Sequence, residues 1–503
     1  MSEVAPAGKK PASTTSIEKI ADGGYGEENL SIDLVSESEL KRIQRKIDLR
    51  IMPWICLTYM FMRLNVNTVG NIAIINAEQK HDIKTQLHLS PSQWAWVISC
   101  FYYTYMGIEP FSTLMMKKTS PSFWISRIMV SWGIVACCGA AVQNYAGLIT
   151  IRTLLGAAEG GFFPCILYYL AFWFRPEEIT LRICFMLACS TFSGIISGFI
   201  SYGVAFADGH GHLAGWRWLF IIEGLPPIVL GLLTIFILPD YPDSKATAKF
   251  LTEQERHIIK ERLYDGAPEK TSATWNTRQA IDVLWNPTFW SFAGIWVGNA
   301  LGNPTPSFVL PTVIFELGFT NSNISNVLTV PTSVAIFLTL VTCAIMVRKD
   351  IWNPFCVAFI RKDVPFDFKL LNVDIHLVQI INLICCVILM TVKQPIVRYI
   401  FILIARSVSN TVVNILWPSR VAALKGTTAV GLGIALSNVL SNIDGLIGPL
   451  IFSTVYGPSY HVSYSICAGI LTVGIISIAV TGALVGRPVF RPLQAFNSRH
   501  SAT

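Results

Sequence analysis

Long apolar runs separated by short polar stretches dominate the chain. Each run has roughly 20 residues, enough for a helix to cross about 30 Å of hydrocarbon. The runs fall near residues 51–74, 94–116, 122–143, 146–172, 182–206 and 216–238, and again near 288–312, 325–347, 371–392, 397–418, 428–453 and 462–486. The pattern predicts an all-α membrane protein with twelve transmembrane helices in two six-helix halves.

The polar segments set the boundaries of the predicted domains. Residues 1–46 are expected to form a disordered tail that ends in a basic amphipathic helix, which would lie at an anionic membrane surface and lead into the first span. No apolar stretch of the kind found in signal peptides occurs in this tail. The expected order is then residues 47–238 for the first half, 239–287 for a linker, 288–487 for the second half and 488–503 for a second tail.

Basic residues concentrate on one side of the predicted helices. They precede the first run and recur at Lys117-Lys118, Arg348-Lys349 and in the linker, whereas the opposite loops are short and nearly free of them. Because loops rich in Lys and Arg stay in the cytoplasm, both tails and the linker are expected there, in a multi-pass protein of the plasma membrane. Asn323-Ile324-Ser325 would then be an outward-facing sequon, with glycosylation expected at Asn323.

Composition agrees with this class and excludes several others. The chain of 503 residues is 52% hydrophobic and only 14% charged, whereas soluble proteins average about 25% charged residues. The net charge of +7 comes from basic residues between apolar runs, so no nucleic-acid partner is expected. The 12 cysteines contain no Cys-x-x-Cys and are expected to be core thiols. No phosphate loop, zinc motif or Gly-x-Ser-x-Gly occurs, so neither an enzyme, a metal site nor a cofactor is predicted.

Two charges lie inside the fourth apolar run. Arg152 and Glu159 are seven residues apart, which places them on one helix face, roughly 10 Å from each other. A charge within a membrane span is costly and is rarely kept without a partner or a water-filled cavity. The pair therefore indicates a polar pathway, although two charges that merely hold helices together would give the same pattern.

Several local motifs occur together in order. They are Lys46-Ile47-Asp48 before the first span, the block from Arg152 to Pro164, the run from Gly215 to Gly224, and the segment from Phe250 to Arg256. With two six-span halves, the chain from about residue 40 to 490 resembles the major facilitator superfamily. Within it, the motifs are similar to those of the fungal anion:cation symporters, the group of the allantoate, nicotinate and pantothenate permeases.

The resemblance implies roles for particular residues. An arginine followed seven residues later by a glutamate is similar to the fourth span of animal organic-anion and phosphate transporters, which implies that Arg152 contacts the anion and Glu159 carries the coupled proton. Glu109 stands where the group ends its second span with a glutamate and is the next coupling candidate. Arg63 is either a second anion contact, a partner of Glu109, or a side chain that extends toward the membrane surface.

Other positions depart from the group. The first span keeps Arg63 and Asn65 but lacks the aspartate that usually precedes them. Arg406 and Asp444 replace small or apolar residues, and we expect them to lie in adjacent spans and to neutralise each other as a structural charge pair. Between residues 344 and 374 the usual short basic loop is not recognisable, and either an unusual loop or an error in the gene model explains the difference.

The combined prediction is a secondary transporter of a small organic anion, of the carboxylate type, coupled to protons and working by alternating access. An exporter of an acidic secondary metabolite is the first alternative, and a non-transporting nutrient sensor is the second. The expected partners are the anion, protons and the lipid bilayer. The sequence does not set the oligomeric state, and a monomer is the simplest expectation.

Overall fold

The computed structural model describes residues 36–242, 244, 247, 250–263, 277–285, 287–318, 321–338, 368–422 and 427–485, and throughout these ranges the regular secondary structure is helical, without strands. The first half contains α1 (Glu37–Ile72), α2 (Ile83–Gln86), α3 (Pro91–Lys118), α4 (Pro121–Cys138), α5 (Tyr145–Glu159), α6 (Phe162–Leu170), α7 (Pro176–Ala205) and α8 (Gly215–Ile237). The linker contains α9 (Glu253–Glu261) and α10 (Thr277–Trp285). The second half contains α11 (Pro287–Gly302), α12 (Leu310–Glu316), α13 (Ser322–Val327), α14 (330–338), α15 (Phe368–Thr391), α16 (Pro395–Ala422), α17 (Thr427–Ser441), α18 (Ile443–Ile451) and α19 (His461–Val485).

These helices confirm the predicted fold class of an all-α membrane protein built from two six-helix halves. Single helices or broken pairs lie in each of the twelve apolar runs, as far as the described residues extend, the pairs being α5–α6, α11–α12, α13–α14 and α17–α18. Within the described ranges, six segments are long and apolar enough to cross a membrane by themselves, among them Gly215–Ile237 and His461–Val480. The predicted tail before residue 36, the tail after residue 485 and the unusual stretch from 344 to 367 lie outside the described residues.

The first helix includes the basic amphipathic segment that was expected to lead into the first span, and the location of this segment at a membrane surface stays a prediction. α1 runs unbroken for 36 residues, and the Ser36 hydroxyl accepts a hydrogen bond from the Glu39 backbone N–H at its start. Ile43 and Ile47 on the apolar face of this segment are 2% and 1% exposed, packed inside the protein. The physical reason is that Arg182 binds Asp48 through Nε and Nη2, both at 2.6 Å, and so holds this part of α1 against α7.

The linker helix α9 is attached to the first half. Lys46 on α1 lies 2.9 Å from the carboxylate of Glu255, and Arg262 binds Glu178 at the start of α7. We call this end of the helical bundle the linker side. The opposite end, where α1 leads into residues 73–82, is the loop side.

Several transmembrane segments are interrupted near their middle. α5 and α6 are separated by Gly160 and Gly161, α11 and α12 by residues 303–309, and α17 and α18 by Asn442. Gly161 has φ +89°, and a Cβ at this position would lie 2.2 Å from the Cβ of Ser112, so glycine is required there. Non-helical backbone within a membrane is tolerated where it is buried in protein or lines a cavity. The interruptions therefore mark the region in which a transport site is expected.

Candidate functional site

A cavity of about 180 Å³ lies between the two halves at the level of the helix interruptions. The first half contributes mainly aromatic side chains to its wall, which are Tyr59, Phe101, Tyr102, Tyr105 and Phe163. The second half contributes mainly amides and hydroxyls, which are Asn299, Asn303, Ser307, Ser409, Asn410, Asn438, Ser441 and Asn442. A ligand in this cavity would thus contact an aromatic wall on one side and hydrogen-bonding groups on the other.

The charged residues of the cavity are divided evenly between the halves. Arg63 on α1 and Glu159 at the end of α5 come from the first half, and Arg406 on α16 and Asp444 on α18 come from the second. With all four groups ionised, their formal charges cancel. Ligand binding or protonation therefore changes the net charge of a site enclosed by helices.

Arg63 lines the cavity, and its guanidinium is not engaged in a direct polar contact with the described residues. In the part of the chain that the structure describes, it has neither a hydrogen bond nor an ion pair. Arg398 on α16 is different, since it donates to the backbone oxygens of Pro458 and Ser459 at 3.2 and 2.8 Å. Because a guanidinium carries five N–H donors, Arg63 has its donors available for an acceptor that enters the cavity.

Glu159 is the carboxylate of the first half that reaches the cavity. Its exposed fraction is 0%, and neither carboxylate oxygen has a hydrogen-bond partner among the described residues. Arg152 and Arg63 are near enough to act on it electrostatically. Glu159 is also the last residue of α5, directly before the interruption at Gly160 and Gly161. A change in its protonation would occur next to a point where the helix is already broken.

Arg152 does not line the cavity. Its side chain is 4% exposed, its Nε donates to the Val97 backbone oxygen at 3.2 Å, and its guanidinium lies 4.7 Å from the ring centroid of Phe101. Since Phe101 itself lines the cavity, Arg152 lies behind that ring. Its role as a direct anion contact stays a prediction, and it would require Phe101 to move.

Glu109 joins the two halves on the linker side of the cavity. It is fully buried, and its Oε1 accepts a hydrogen bond from Nδ2 of Asn438 on α17. Among the described residues no ion pair connects it with Arg63, which was one of the alternatives for that arginine. The predicted role of Glu109 in proton coupling stays open as the second candidate.

Arg406 and Asp444 share the cavity but are not in direct contact. Arg406 Nη1 donates at 2.6 Å to the backbone oxygen of Thr305, in the interruption between α11 and α12. Within the described ranges, no ion pair joins Arg406 to Asp444, while both Arg63 and Arg406 act on Asp444 electrostatically. The expected neutralisation of Arg406 by Asp444 stays a prediction. The broken helix offers Arg406 a carbonyl acceptor, and Asp444 lies near two cations rather than one.

Asn323 occupies a contact between the halves on the loop side. Its Nδ2 donates to Oδ1 of Asn76 at 2.8 Å, and the Asn76 backbone N–H donates to its Oδ1 at 3.0 Å. Close by, the Ser322 backbone N–H donates to Glu78 at 3.2 Å. A glycan would replace one of the two N–H bonds of Nδ2 directly beside Asn76, and the predicted glycosylation of Asn323 stays a prediction.

Sequence reasoning did not single out the amide-rich wall of the second half. The available signal was the recurrence of asparagine within apolar runs, at Asn299, Asn303, Asn410, Asn438 and Asn442. An amide in a membrane span needs partners or a polar cavity. All five line the central cavity.

Comparison with known proteins agrees with this architecture. The family model of the Major Facilitator Superfamily matches residues 55–360. MFS transporter prlL from Fungal sp. (strain NRRL 50135) is 32% identical over 59% of this chain and 60% of its own length. MFS-type transporter cnsO from Penicillium expansum is 29% identical over 57% and 55%, and a protein of Agrobacterium vitis provisionally named a tartrate transporter is 30% identical over 58% and 64%. The matched regions thus span less than two thirds of these relatives.

A solved structure shares the fold. A bacterial homolog of the human lysosomal transporter Spinster, in an inward-facing and occupied conformation, superposes with a TM-score of 0.57 at 12% identity, covering 85% of this chain and 96% of the homolog. Placement in the fungal anion:cation symporter group stays a prediction. The helical architecture and the match over residues 55–360 together show that this chain belongs to the Major Facilitator Superfamily.

Proposed function

We propose that the protein is a secondary transporter that moves a small organic anion together with protons by alternating access. The observation that carries the proposal is Arg63, a cation that faces the central cavity with no hydrogen bond or ion pair among the described residues. A guanidinium offers a planar pair of donors that matches a carboxylate. The name of the Agrobacterium vitis relative supports a carboxylate as the cargo.

Proton coupling follows from the charge of the cavity. The two arginines and two carboxylates are neutral together, so an arriving monoanion leaves a net charge of −1 between the halves. Two like charges about 4 Å apart repel by about 4 kcal/mol at an effective dielectric constant of about 20. Uptake of one proton from water by Glu159 removes this repulsion. Anion binding and protonation therefore favour each other, and Glu159 is the first candidate because its oxygens lack hydrogen-bond partners among the described residues.

Alternating access requires the contacts between the two halves to break in turn on either side of the cavity. The hydrogen bonds between Asn76 and Asn323 close the loop side, and the contact between Glu109 and Asn438 lies on the linker side. Opening toward either side requires one set of contacts to break while the other persists. We propose import across the plasma membrane, and export of an acidic metabolite would use the same residues with the opposite gradient.

The test is uptake of a panel of labelled organic acids by cells that express the protein, with outside pH near 5.5 and 7.5. Glu159→Gln should abolish accumulation driven by acid outside while exchange of internal for external label remains. Glu223→Gln is the matched control, because Glu223 on α8 is 1% exposed but does not line the cavity. This control should keep the pH dependence of the wild type.

Each outcome separates the alternatives. A Glu159→Gln protein with normal pH-dependent accumulation would move the coupling to Glu109. Release of preloaded label without uptake would show that the protein works as an exporter. Specific binding of an acid with no flux in either direction would contradict a transporter and favour a nutrient sensor.

A further inference from the structure

We infer, on the basis of the proposed function, that the cargo carries two negative groups, which Arg63 and Arg406 hold from opposite halves of the protein. The inference concerns the chemical class of the substrate and gives Arg406 a binding role in place of a structural one. It rests on the position of the two guanidiniums, on the donors they retain and on the carboxylate that faces both of them.

The two arginines stand at the junction of two cavities. A second cavity of about 80 Å³ lies beyond the central one, toward the loop side, and hydroxyls and amides such as Asn67, Asn71 and Ser197 line it. Of the charged side chains in the described part of the chain, Arg63 and Arg406 are the ones that line both cavities. A solute that moves from one cavity to the other must pass between them.

Both guanidiniums retain donors after their contacts with the protein. Arg63 has none of its donors engaged among the described residues, and Arg406 uses Nη1 for the Thr305 oxygen while its Nε is buried without a hydrogen-bond partner. Arg182 illustrates the opposite case, because Asp48 accepts from both its Nε and its Nη2 and the Glu178 backbone oxygen accepts from Nη1. A buried donor without an acceptor, such as Nε of Arg406, is costly, and Arg63 faces the cavity with its donors available. A ligand that supplies acceptors to both arginines therefore gains affinity.

Asp444 shows that the site accepts a second negative charge. It faces Arg63 from α1 and Arg406 from α16, with the phenol of Tyr102 from α3 also near it, yet it is ion-paired with neither arginine in the described structure. Its carboxylate balances the two cations when the cavity is empty. When a second substrate carboxylate arrives, Asp444 can take a proton from water and give up this role without leaving a net charge.

The charges of the four cavity residues and the substrate then set the number of protons that move with each substrate molecule. The empty site is neutral, and a bound dianion brings a charge of −2. Protonation of Glu159, which faces Arg152 and Arg63, and of Asp444, which faces Arg63 and Arg406, restores neutrality. The expected transport cycle therefore moves two protons with each dianion and carries no net charge.

The size of the cavity limits the cargo. A cavity of roughly 150 Å³ holds one benzene molecule. The central cavity of about 180 Å³ therefore suits a dicarboxylate with a short carbon chain. A large conjugated acid would not fit without rearrangement of the helices.

The experiment compares acids that differ by one carboxylate. Affinities of the purified full-length protein for succinate and butyrate, and for glutarate and valerate, are measured by ligand-dependent shifts of thermal unfolding. Each dicarboxylate should bind about tenfold more tightly than the monocarboxylate of the same chain length, since a second charged contact is worth about 1.4 kcal/mol or more. Arg406→Gln should remove this preference, and Arg406→Lys should retain part of it. Ser407→Ala, which changes a residue of α16 next to Arg406 that lines neither cavity, is the control and should leave this preference intact.

The outcomes distinguish this inference from the proposed function. Equal affinity for both members of each pair, or an equal loss of both acids in Arg406→Gln, would overturn the two-point site while anion transport could still be observed in the uptake panel. If no acid of either kind binds or moves, the proposed function fails with it. A second measurement tests the number of protons. Uptake of the dicarboxylate into liposomes by the wild type should be independent of membrane voltage, whereas uptake by Asp444→Asn should depend on it. Voltage dependence in the wild type would overturn the count of two protons.

Discussion

Replacement of Arg63 by glutamine separates binding from folding in this protein. Arg63 lines the cavity and, among the described residues, donates no hydrogen bond to the protein. Arg398 is the control, because it is also an arginine of a transmembrane helix, but it is buried, donates to two backbone oxygens and lies 5.9 Å from the ring centroid of Tyr464. The two glutamine variants should therefore have opposite effects.

The magnitudes follow from the contacts. Removal of one partner from a buried, hydrogen-bonded charge pair costs about 2 to 5 kcal/mol, so Arg63→Gln should weaken anion binding by about thirtyfold to several thousandfold. It breaks no hydrogen bond among the described residues, and protonation of Glu159 or Asp444 can offset the charge that it removes. Its free energy of unfolding should therefore change by about 1 kcal/mol. Arg398→Gln loses two hydrogen bonds to a charged group, each worth about 1.5 to 3 kcal/mol. Its free energy of unfolding should fall by about 3 to 6 kcal/mol, with affinity preserved in the protein that folds.

The assay measures thermal unfolding of both variants in detergent and, on the folded fraction, binding of the acid with the highest affinity for the wild type. Arg63→Lys provides a further comparison, since it keeps the charge without the planar fork and should recover part of the affinity. The reasoning is refuted if Arg63→Gln loses as much stability as Arg398→Gln while its folded fraction binds the acid normally.

Two further predictions concern the scaffold. Gly161→Ala should destabilise the protein by about 2 to 5 kcal/mol, because of the left-handed backbone and the clash with Ser112. Gly203→Ala, where the added Cβ meets no atom within 4 Å, should be neutral or slightly stabilising. Equal effects of the two variants on thermal unfolding would contradict the required backbone geometry. Partial burial opposes the charge of Glu255, but the hydrogen bond from Lys46 and those with Thr252 outweigh it and hold the pKa of Glu255 below its ordinary 4.5. Because the pKa of Glu255 is lowered in the folded protein, its ionised form stabilises the attached helix α9 above the ordinary value, and this contribution is lost as the pH falls through the lowered pKa. The protection of the α9 amides against hydrogen exchange, corrected for the intrinsic pH dependence of exchange, should therefore fall on acidification in the wild type and lose this dependence in Glu255→Gln. An unchanged dependence in the variant would assign it to another group.

The sequence determined the number and positions of the transmembrane segments. This was possible because the thickness of a bilayer fixes the length of an apolar helix, so runs such as 216–238 and 462–486 could be placed without any knowledge of packing. The helical period likewise placed Arg152 and Glu159 on one face, since that relation depends on local geometry alone.

The tertiary structure decided which of these charges reaches the cavity. The sequence ranked Arg152 above Arg63 as the anion contact, but Phe101 from α3 covers Arg152, while Arg63 lines the cavity. The rotation of a helix about its axis depends on the side chains of its neighbours, and no spacing within one helix records it.

The sequence likewise could not predict contacts between distant parts of the chain. Arg406 donates to Thr305 because the segment between α11 and α12 is not helical and leaves a carbonyl free to accept, and Asn76 meets Asn323 because the halves close against each other on the loop side. The sequence records where a polar group interrupts an apolar run. Its partner is fixed when the two six-helix halves assemble, since hydrogen bonding in a medium without water depends on which groups the fold brings within about 3 Å.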